Sequence, residues 1–284
     1  MMLHRHFSQV HYDPPPTELP TIQKTEKPKK VMRQRKKSSF PGKVAAFPAT
    51  RNWYDKIIVS AKSMFCNSDA DRAVFVIEDD TFPTELPKEI EIVNASDNEY
   101  FRPGGPNYSS HFSYLCLSRA AYGYFLSDYG RVLSLDSDLV VVDDISDLWD
   151  VDLNGNYCAG VIDRGIGRPG YYNAGVILMD LDRIRDDGIT DAMIDLLNRQ
   201  YRPWTEQDAL NECCGGKILE LPTRYNESPV TGRTDNPAIV HFVGTNKTGG
   251  SNRQYRHYWN QYEQMTWEEV SEIRREKYGK PLTF

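Results

Sequence analysis

The sequence predicts an α/β fold, and three features carry that expectation. A buried strand, Val44-Ala45-Ala46-Phe47, is followed by apolar residues at helical spacing, Ile57, Ile58, Ala61, Met64 and Phe65. Strand candidates at residues 74–77 and 90–93 come next, and strand, helix and strand at that interval predict parallel βαβ winding. Further aliphatic strands recur as far as Ile239-Val240-His241-Phe242, and 284 residues suit one large α/β domain or two small ones.

Taken in order, residues 1–42 read as a disordered tail. Pro14-Pro15-Pro16, Pro20 and Pro28 remove backbone donors, and eight Lys or Arg crowd between positions 24 and 37. Residues 43–284 are expected to form a single domain ending in helices. The loop Pro48-Ala49-Thr50-Arg51-Asn52 follows the first strand, at the edge where open parallel sheets place their ligands. Beyond a Pro/Gly loop at residues 102–106, Ser109 or Ser110 is expected to cap a helix carrying Phe112, Leu115, Arg119, Tyr122 and Leu126. Arg119 has apolar neighbours there and by itself reads as a surface arginine that lays its stem over them. Residues 132–142 form the next strand, and residues 157–162 another, ending at Asp163. Residues 164–170 contain three glycines but no helix-opening pattern, so they are not a dinucleotide fingerprint. In Tyr172-Asn173-Ala174-Gly175-Val176 the small residues permit close approach to the backbone. Residues 190–200 form an amphipathic helix. Thr205 opens another, matching a capping box with Asp208 only loosely, and Gly215-Gly216 ends it before a strand at residues 217–220. Thr266 and Glu269 form a capping box for the C-terminal helix.

The chemistry concentrates in Val132-Leu133-Ser134-Leu135-Asp136-Ser137-Asp138-Leu139-Val140-Val141-Val142, where two carboxylates interrupt an aliphatic run. On an extended backbone Asp136 and Asp138 share a face and Ser137 takes the other. Two anions that close repel one another and resist burial unless a cation neutralises them. A divalent metal such as Mg²⁺ or Mn²⁺ meets that need and keeps positions open for phosphate oxygens. Alone, the triplet is equally well read as a strand ending in an acidic turn.

Composition narrows the class. The net charge of −6 hides an asymmetry: residues 1–42 hold nine basic and three acidic groups, and the rest hold 25 basic and 37 acidic. A body that acidic repels a phosphate backbone, which argues against nucleic-acid binding. Five cysteines without framework spacing, Cys213 and Cys214 adjacent, point to reduced thiols in a cytoplasmic protein. No apolar run reaches the length of a membrane span. The glycosylation-type triplets at Asn94, Asn107, Asn226 and Asn246 then carry no weight. The basic arm is either solvated or docks on a membrane surface, nucleic acid or an acidic partner.

The order Arg119, Asp136-Ser137-Asp138, Asn173-Ala174-Gly175-Val176, Glu206-Gln207-Asp208-Ala209-Leu210-Asn211 and His241-Phe242-x-Gly244-x-x-Lys247 resembles glycosyltransferase family 8. That family includes glycogenin and the bacterial lipopolysaccharide galactosyl- and glucosyltransferases. The resemblance runs from about residue 44 to residue 247. It implies a fold of GT-A type, a Rossmann-like mixed β-sheet flanked by helices, with a nucleotide-binding half merged with an acceptor-binding half. It also implies transfer of a hexose from UDP-glucose or UDP-galactose with retention of configuration, dependent on Mn²⁺ or, failing that, Mg²⁺. By the same resemblance His241 is the third metal ligand beside Asp136 and Asp138. Lys247 adds a cation at the diphosphate, Arg119 contacts the sugar or diphosphate side of the donor, and Asp163 is an acidic sugar ligand. Asn173 and Gln207 suit hydrogen bonds to sugar hydroxyls. Trp53, next to Asn52, aligns with an aromatic that stacks on the base, and Ser137, Ala174 and Gly244 complete the donor-binding set.

Retention requires a covalent intermediate or attack from the face that the leaving group vacates. The family places an amide at the anomeric carbon, matching Gln207, which favours front-face attack. Asp208 or Glu206 as a nucleophile is the lesser option. Three departures stand out. Thr50-Arg51-Asn52-Trp53 lacks the acidic residue often used on the base, Thr248-Gly249 replaces the usual Pro-Trp, and Glu206 replaces the commoner Asp. Two other classes fit part of the pattern: a haloacid-dehalogenase-type phosphohydrolase, which also follows an aliphatic strand with Asp-x-Asp, and a non-catalytic binding protein on the same fold. The acceptor, whether glycan, protein, lipid-linked sugar or nucleic acid, is left open.

Overall fold

The computed structural model describes residues 38–96, 98–109, 113–243 and 253–284. Among them the chain runs through β1 (Val44–Pro48), α1 (Tyr54–Cys66), β2 (Arg72–Ile77), β3 (Ile90–Asn94), α2 (Tyr122–Phe125), β4 (Arg131–Leu135) and β5 (Leu139–Val141). It continues through β6 (Cys158–Ile162), β7 (Tyr172–Asp180), α3 (Leu181–Asp186), α4 (Ile189–Arg199), α5 (Thr205–Cys213), β8 (Ile218–Glu220), β9 (Ile239–His241), α6 (Arg256–Gln264) and α7 (Trp267–Tyr278). The main sheet has the order β3-β2-β1-β4-β7-β6-β8. β1, β2, β3 and β4 pair in parallel, as the βαβ spacing predicts, while β7 runs antiparallel to both β4 and β6. The sheet is therefore mixed.

Alternation along the central strands feeds two cores, one on each face. Ala45 and Phe47 of β1 join Phe75 and Leu133 in packing under α1, α6 and α7. Val44 and Ala46 join Val74 and Val132 under residues 114–126 and under α4 and α5. Both faces are covered, which is why these strands read as continuous apolar runs.

Four expectations need correction. Residues 38–42 belong to the folded body, not to a tail: the Ser39 and Phe40 N–H groups donate to the Asp128 carbonyl, and the Phe40 ring sits edge-on to Tyr129 at 5.6 Å. The helix expected after Ser109 or Ser110 is instead a 3₁₀ segment, Tyr114–Ala121, followed by the short α2, and Ser113 caps it by accepting the Leu115 N–H at 3.2 Å. The Ser118 hydroxyl donates to the Leu115 carbonyl at 2.6 Å, a local bond that competes with regular helix. Ser110 and Phe112 lie outside the described residues.

The run at 132–142 is not one strand. It breaks at Asp136-Ser137-Asp138, and β5 leaves the main sheet to pair with β9. Thr205 makes no capping box. It is the first residue of α5, at φ 44°, and its hydroxyl donates to Glu206 Oε2 at 2.5 Å. Asp208 closes the helix start instead, accepting the Trp204 N–H at 2.9 Å. A left-handed φ on a β-branched residue costs on the order of 1–3 kcal/mol, and here the strain sits at the entry to Glu206-Gln207-Asp208. The capping box of Thr266 and Glu269 at α7 forms in both directions.

Candidate active site

The break between β4 and β5 builds the site. Asp136 still donates its N–H to the Gly175 carbonyl of β7 at 2.9 Å, so it ends β4 in register. The chain then turns, and Ser60 of α1 fixes the turn by donating to the Ser137 and Leu139 carbonyls, at 2.9 and 2.7 Å. Ser63, one turn further along α1, accepts the Val141 N–H at 2.9 Å. In the β5–β9 ladder Leu139 is opposite His241, and the Phe242 N–H donates to the Asp138 carbonyl at 2.8 Å. That register carries His241 to the acids: its Nε2 is 3.2 Å from Asp138 Oδ1 and 3.5 Å from Asp136 Oδ2. Asp136 and Asp138 thus converge through a turn and not through strand alternation.

These three residues are the candidate metal ligands among the described residues, each offering one ligating atom within 4.8 Å of the others. The donor set suits a divalent ion: two hard carboxylates and one imidazole nitrogen, with Asp138 and His241 buried. Charge points the same way. Arg119, 3 % exposed, lies beneath the acids, with Nε on Ser134 Oγ and Nη1 on Glu206 Oε1, both at 2.9 Å, and with Nη2 on Asp136. Burial opposes its charge, but the fields of Asp136 and Glu206 outweigh that and hold the guanidinium pKa above its usual value. Burial pushes the Glu206 carboxyl up, against the pull of Arg119. Asp136 and Glu206 on Arg119, with Asp138 beside His241, leave the cluster in its ionised form with two negative charges in excess, which a divalent cation would balance.

A second network lies alongside. Asn173 Nδ2 donates to Asp163 Oδ2 at 3.0 Å, and Asn226 Nδ2 donates to Asn173 Oδ1 at 2.9 Å. Gln207 Oε1 accepts the Ala174 N–H at 2.8 Å, and its Nε2 faces Asp163 Oδ2 and the Tyr171 hydroxyl at 3.4 and 3.5 Å. Asp208 turns elsewhere. Its Oδ1 accepts from the Tyr171 hydroxyl at 2.7 Å and from Arg168 at 3.3 Å. Burial and that carboxylate raise the Tyr171 pKa well above its ordinary value.

The sequence-derived residues therefore fall into groups. Asp136, Asp138, His241, Arg119 and Glu206 form one cluster, with Ser137 in its turn. Asp163, Asn173, Ala174 and Gln207 form the adjoining network. Asn52 is exposed and Trp53 half-buried, in a 3₁₀ turn after β1. Gly244 and Lys247 lie outside the described residues. Sequence reading missed Asn226, Ser60 and Ser63. The serines did carry a signal, two hydroxyls three residues apart within an apolar helix, whereas Asn226 carried none.

The profile of Glycosyl transferase family 8 matches residues 45–248. The chain belongs to glycosyl transferase family 8. Among its relatives, General stress protein A of Bacillus subtilis (strain 168) is 29% identical over 52% of this chain and 63% of its own length. Glycosyltransferase GlyA of Streptococcus pneumoniae serotype 4 is 27% identical over 81% of this chain and 36% of its own length. The chain thus spans less than two thirds of the length of either relative. The galactosyltransferase LgtC, solved with donor and acceptor sugar analogues, superposes with a TM-score of 0.63 at 20% identity, covering 81% of this chain and 99% of that one. Glycosyltransferase GlyE of Streptococcus pneumoniae TIGR4 gives 0.63 at 19% identity, over 84% of this chain and 63% of that one. The fold is accordingly the GT-A type, as the resemblance implied. Family membership does not favour a haloacid-dehalogenase-type phosphohydrolase or a non-catalytic binding protein. Among the described residues, no helix is long and apolar enough to cross a membrane.

Proposed function

We propose that this chain transfers a hexose from a UDP-sugar, UDP-glucose or UDP-galactose, to an acceptor hydroxyl with retention of configuration and in dependence on Mn²⁺. The observation that carries this reading is the convergence of Asp136, Asp138 and His241 at the end of β4, one arginine away from Glu206-Gln207. Held by those three residues, Mn²⁺ would act as a Lewis acid toward the diphosphate leaving group. Arg119 binds Asp136 and Glu206 together, so neither carboxylate can swing away. At the nucleotide end, Glu78 supplies the acid that the first-strand loop lacks: it follows β2 and accepts the Arg51 N–H at 2.7 Å and the Tyr114 hydroxyl at 2.9 Å.

The surroundings of Gln207 favour front-face attack. A double displacement needs a carboxylate at the anomeric carbon. Both carboxylates beside Gln207 are committed, Glu206 to Arg119 and Thr205, Asp208 to Tyr171, Arg168 and the Trp204 N–H. The acceptor hydroxyl then enters from the face that the diphosphate leaves, and its proton passes to the departing phosphate oxygen. On the acceptor side, a cavity of about 510 Å³ is lined by Arg168, Tyr171, Arg202, Asp208, Asn211 and Glu212, a polar wall suited to a hydroxyl-rich molecule.

The test is UDP release from a panel of UDP-hexoses with and without Mn²⁺. Wild-type turnover should require the metal, and Asp138→Ala should lower it by at least about 100-fold. A wild-type protein showing neither turnover nor metal-dependent UDP binding overturns the reading.

A further inference from the structure

Asn226 closes the 3₁₀ turn Thr223–Asn226 and is fully buried. Its side-chain amide lies between two others of the site, with Nδ2 on Asn173 Oδ1 at 2.9 Å and Oδ1 at 3.0 Å from His241 Nδ1. The direction of every bond in this chain follows from one backbone group. The Gly175 N–H can only donate, and it reaches Asn173 Oδ1 at 2.9 Å, so that atom is an acceptor. Whatever Asn226 turns toward it must donate, which is the NH₂ end. The end facing His241 is then the carbonyl oxygen, which only accepts. His241 Nδ1 must therefore carry a hydrogen, and in the neutral ring Nε2 keeps its lone pair, on the edge that faces Asp136 and Asp138.

From this chain we infer that Asn226 is a positioning residue that selects the ligating tautomer of His241 and fixes the plane of its ring. The inference rests on the metal-site reading above and deepens it. The group that sets the tautomer is β7 itself, through the Gly175 N–H and Asn173. The same strand leaves room for the ring, because a Cβ at Gly175 would lie 2.2 Å from His241 Cε1. Asn173 also donates to Asp163, so the imidazole and that acid share one rigid chain of amides. Outer-shell partners of metal-bound histidines act in this way, and their loss typically costs about 10- to 100-fold in metal affinity.

Mn²⁺ binding to the full chain, without nucleotide, tests the inference, together with the imidazole ¹⁵N–¹H correlation spectrum of the metal-free protein at neutral to alkaline pH. His241→Gln serves to assign the His241 signals. The expected results are a hydrogen on His241 Nδ1 in the wild type, whether the ring is neutral or is an imidazolium whose Nε2–H faces Asp136 and Asp138, and Mn²⁺ binding weakened about 10- to 100-fold in Asn226→Ala. Asn226→Asp keeps an acceptor toward the ring but loses the donor toward Asn173 Oδ1, so it should keep the wild-type tautomer and lose no more affinity than Asn226→Ala. An Nε2–H tautomer in the wild type overturns the inference, as does wild-type Mn²⁺ affinity in Asn226→Ala. Those outcomes leave the metal site standing as long as His241→Gln abolishes binding. If the wild type does not bind Mn²⁺, or binds it equally well without His241, the metal-site reading falls and this inference falls with it.

Discussion

At Gly175 the absence of one carbon decides whether the imidazole can lie where it does. A Cβ there would stand 2.2 Å from His241 Cε1 and 2.6 Å from Nδ1, and retreat of the ring would break the bond by which Asn226 holds that same Nδ1. Gly175→Ala should therefore weaken Mn²⁺ binding more than 10-fold and destabilise the fold by about 1–3 kcal/mol through overpacking. A Mn²⁺ titration beside urea unfolding separates the two effects, and unaltered affinity would show that the ring is not confined. Residues of this kind were partly legible in the sequence. Ala174-Gly175 before an aliphatic strand announced close approach, and Asp136, Asp138 and His241 stood out by type and order. Arg119 read alone as a surface arginine because nothing in its neighbourhood shows that residues 134, 136 and 206 surround it. The role of Asn226 was invisible for the same reason: its partner Asn173 lies 53 positions away, and its glycosylation-type triplet says nothing of that contact.

Among the elements, those with strong periodicity, β1, α1, β2, β3, β7, α4 and α7, follow the pattern in the sequence. The pattern failed where the chain changes direction for the sake of the site. Residues 132–142 look like one aliphatic strand because β4 and β5 are both buried, and burial does not record that they lie in different sheets. What separates them is the pair of α1 serines bonding to the turn. Helix α1 is in turn anchored by α7. Arg274 donates to the Ala70 carbonyl, and Lys277 Nζ reaches the Cys66 carbonyl at 3.0 Å and Asn67 Oδ1 at 2.9 Å, placing cations at the negative end of the α1 dipole. The capping box at Thr266 starts α7 on the exposed side of that contact. Thr266→Ala should cost about 1 kcal/mol of stability, measurable by urea unfolding, and leave Mn²⁺ affinity unchanged. A change in affinity would mean that α7 controls the site and does not merely support it.

Across the whole described body, the chain closes on itself through carboxylates. Asp71, just ahead of β2, accepts the Lys43 N–H at 2.8 Å at the start of β1 and Lys280 Nζ at 2.8 Å near the C-terminus. Burial works against the Asp71 charge, but those two donors outweigh it and hold its pKa below the ordinary 3.8. Asp182 is lowered in the same way by Ser38 and Arg185, and Asp144 by Ser146, each against the cost of burial. A carboxyl whose folded pKa lies below its unfolded value adds stability above the unfolded value and loses it as pH falls through the folded one. Glu206, raised by burial, acts in the opposite sense, favouring the folded state at the acid end of its own range. With Asp79, lowered by Arg51 and Tyr54, and Glu268, lowered at the start of α7, five depressed carboxyls stand against one raised one among the described residues, and they predict a melting temperature that holds steady from neutrality down to about pH 5 and falls below about pH 4. In Asp71→Asn the neutral-pH melting temperature should drop and the acid decline should become shallower, because one of the protons taken up on acid unfolding is removed. Thermal melts of both proteins between pH 3 and pH 7 check this. A decline that begins near pH 6 instead would assign acid sensitivity to histidine, and a parallel decline in the variant would show that Asp71 is not a site of linkage.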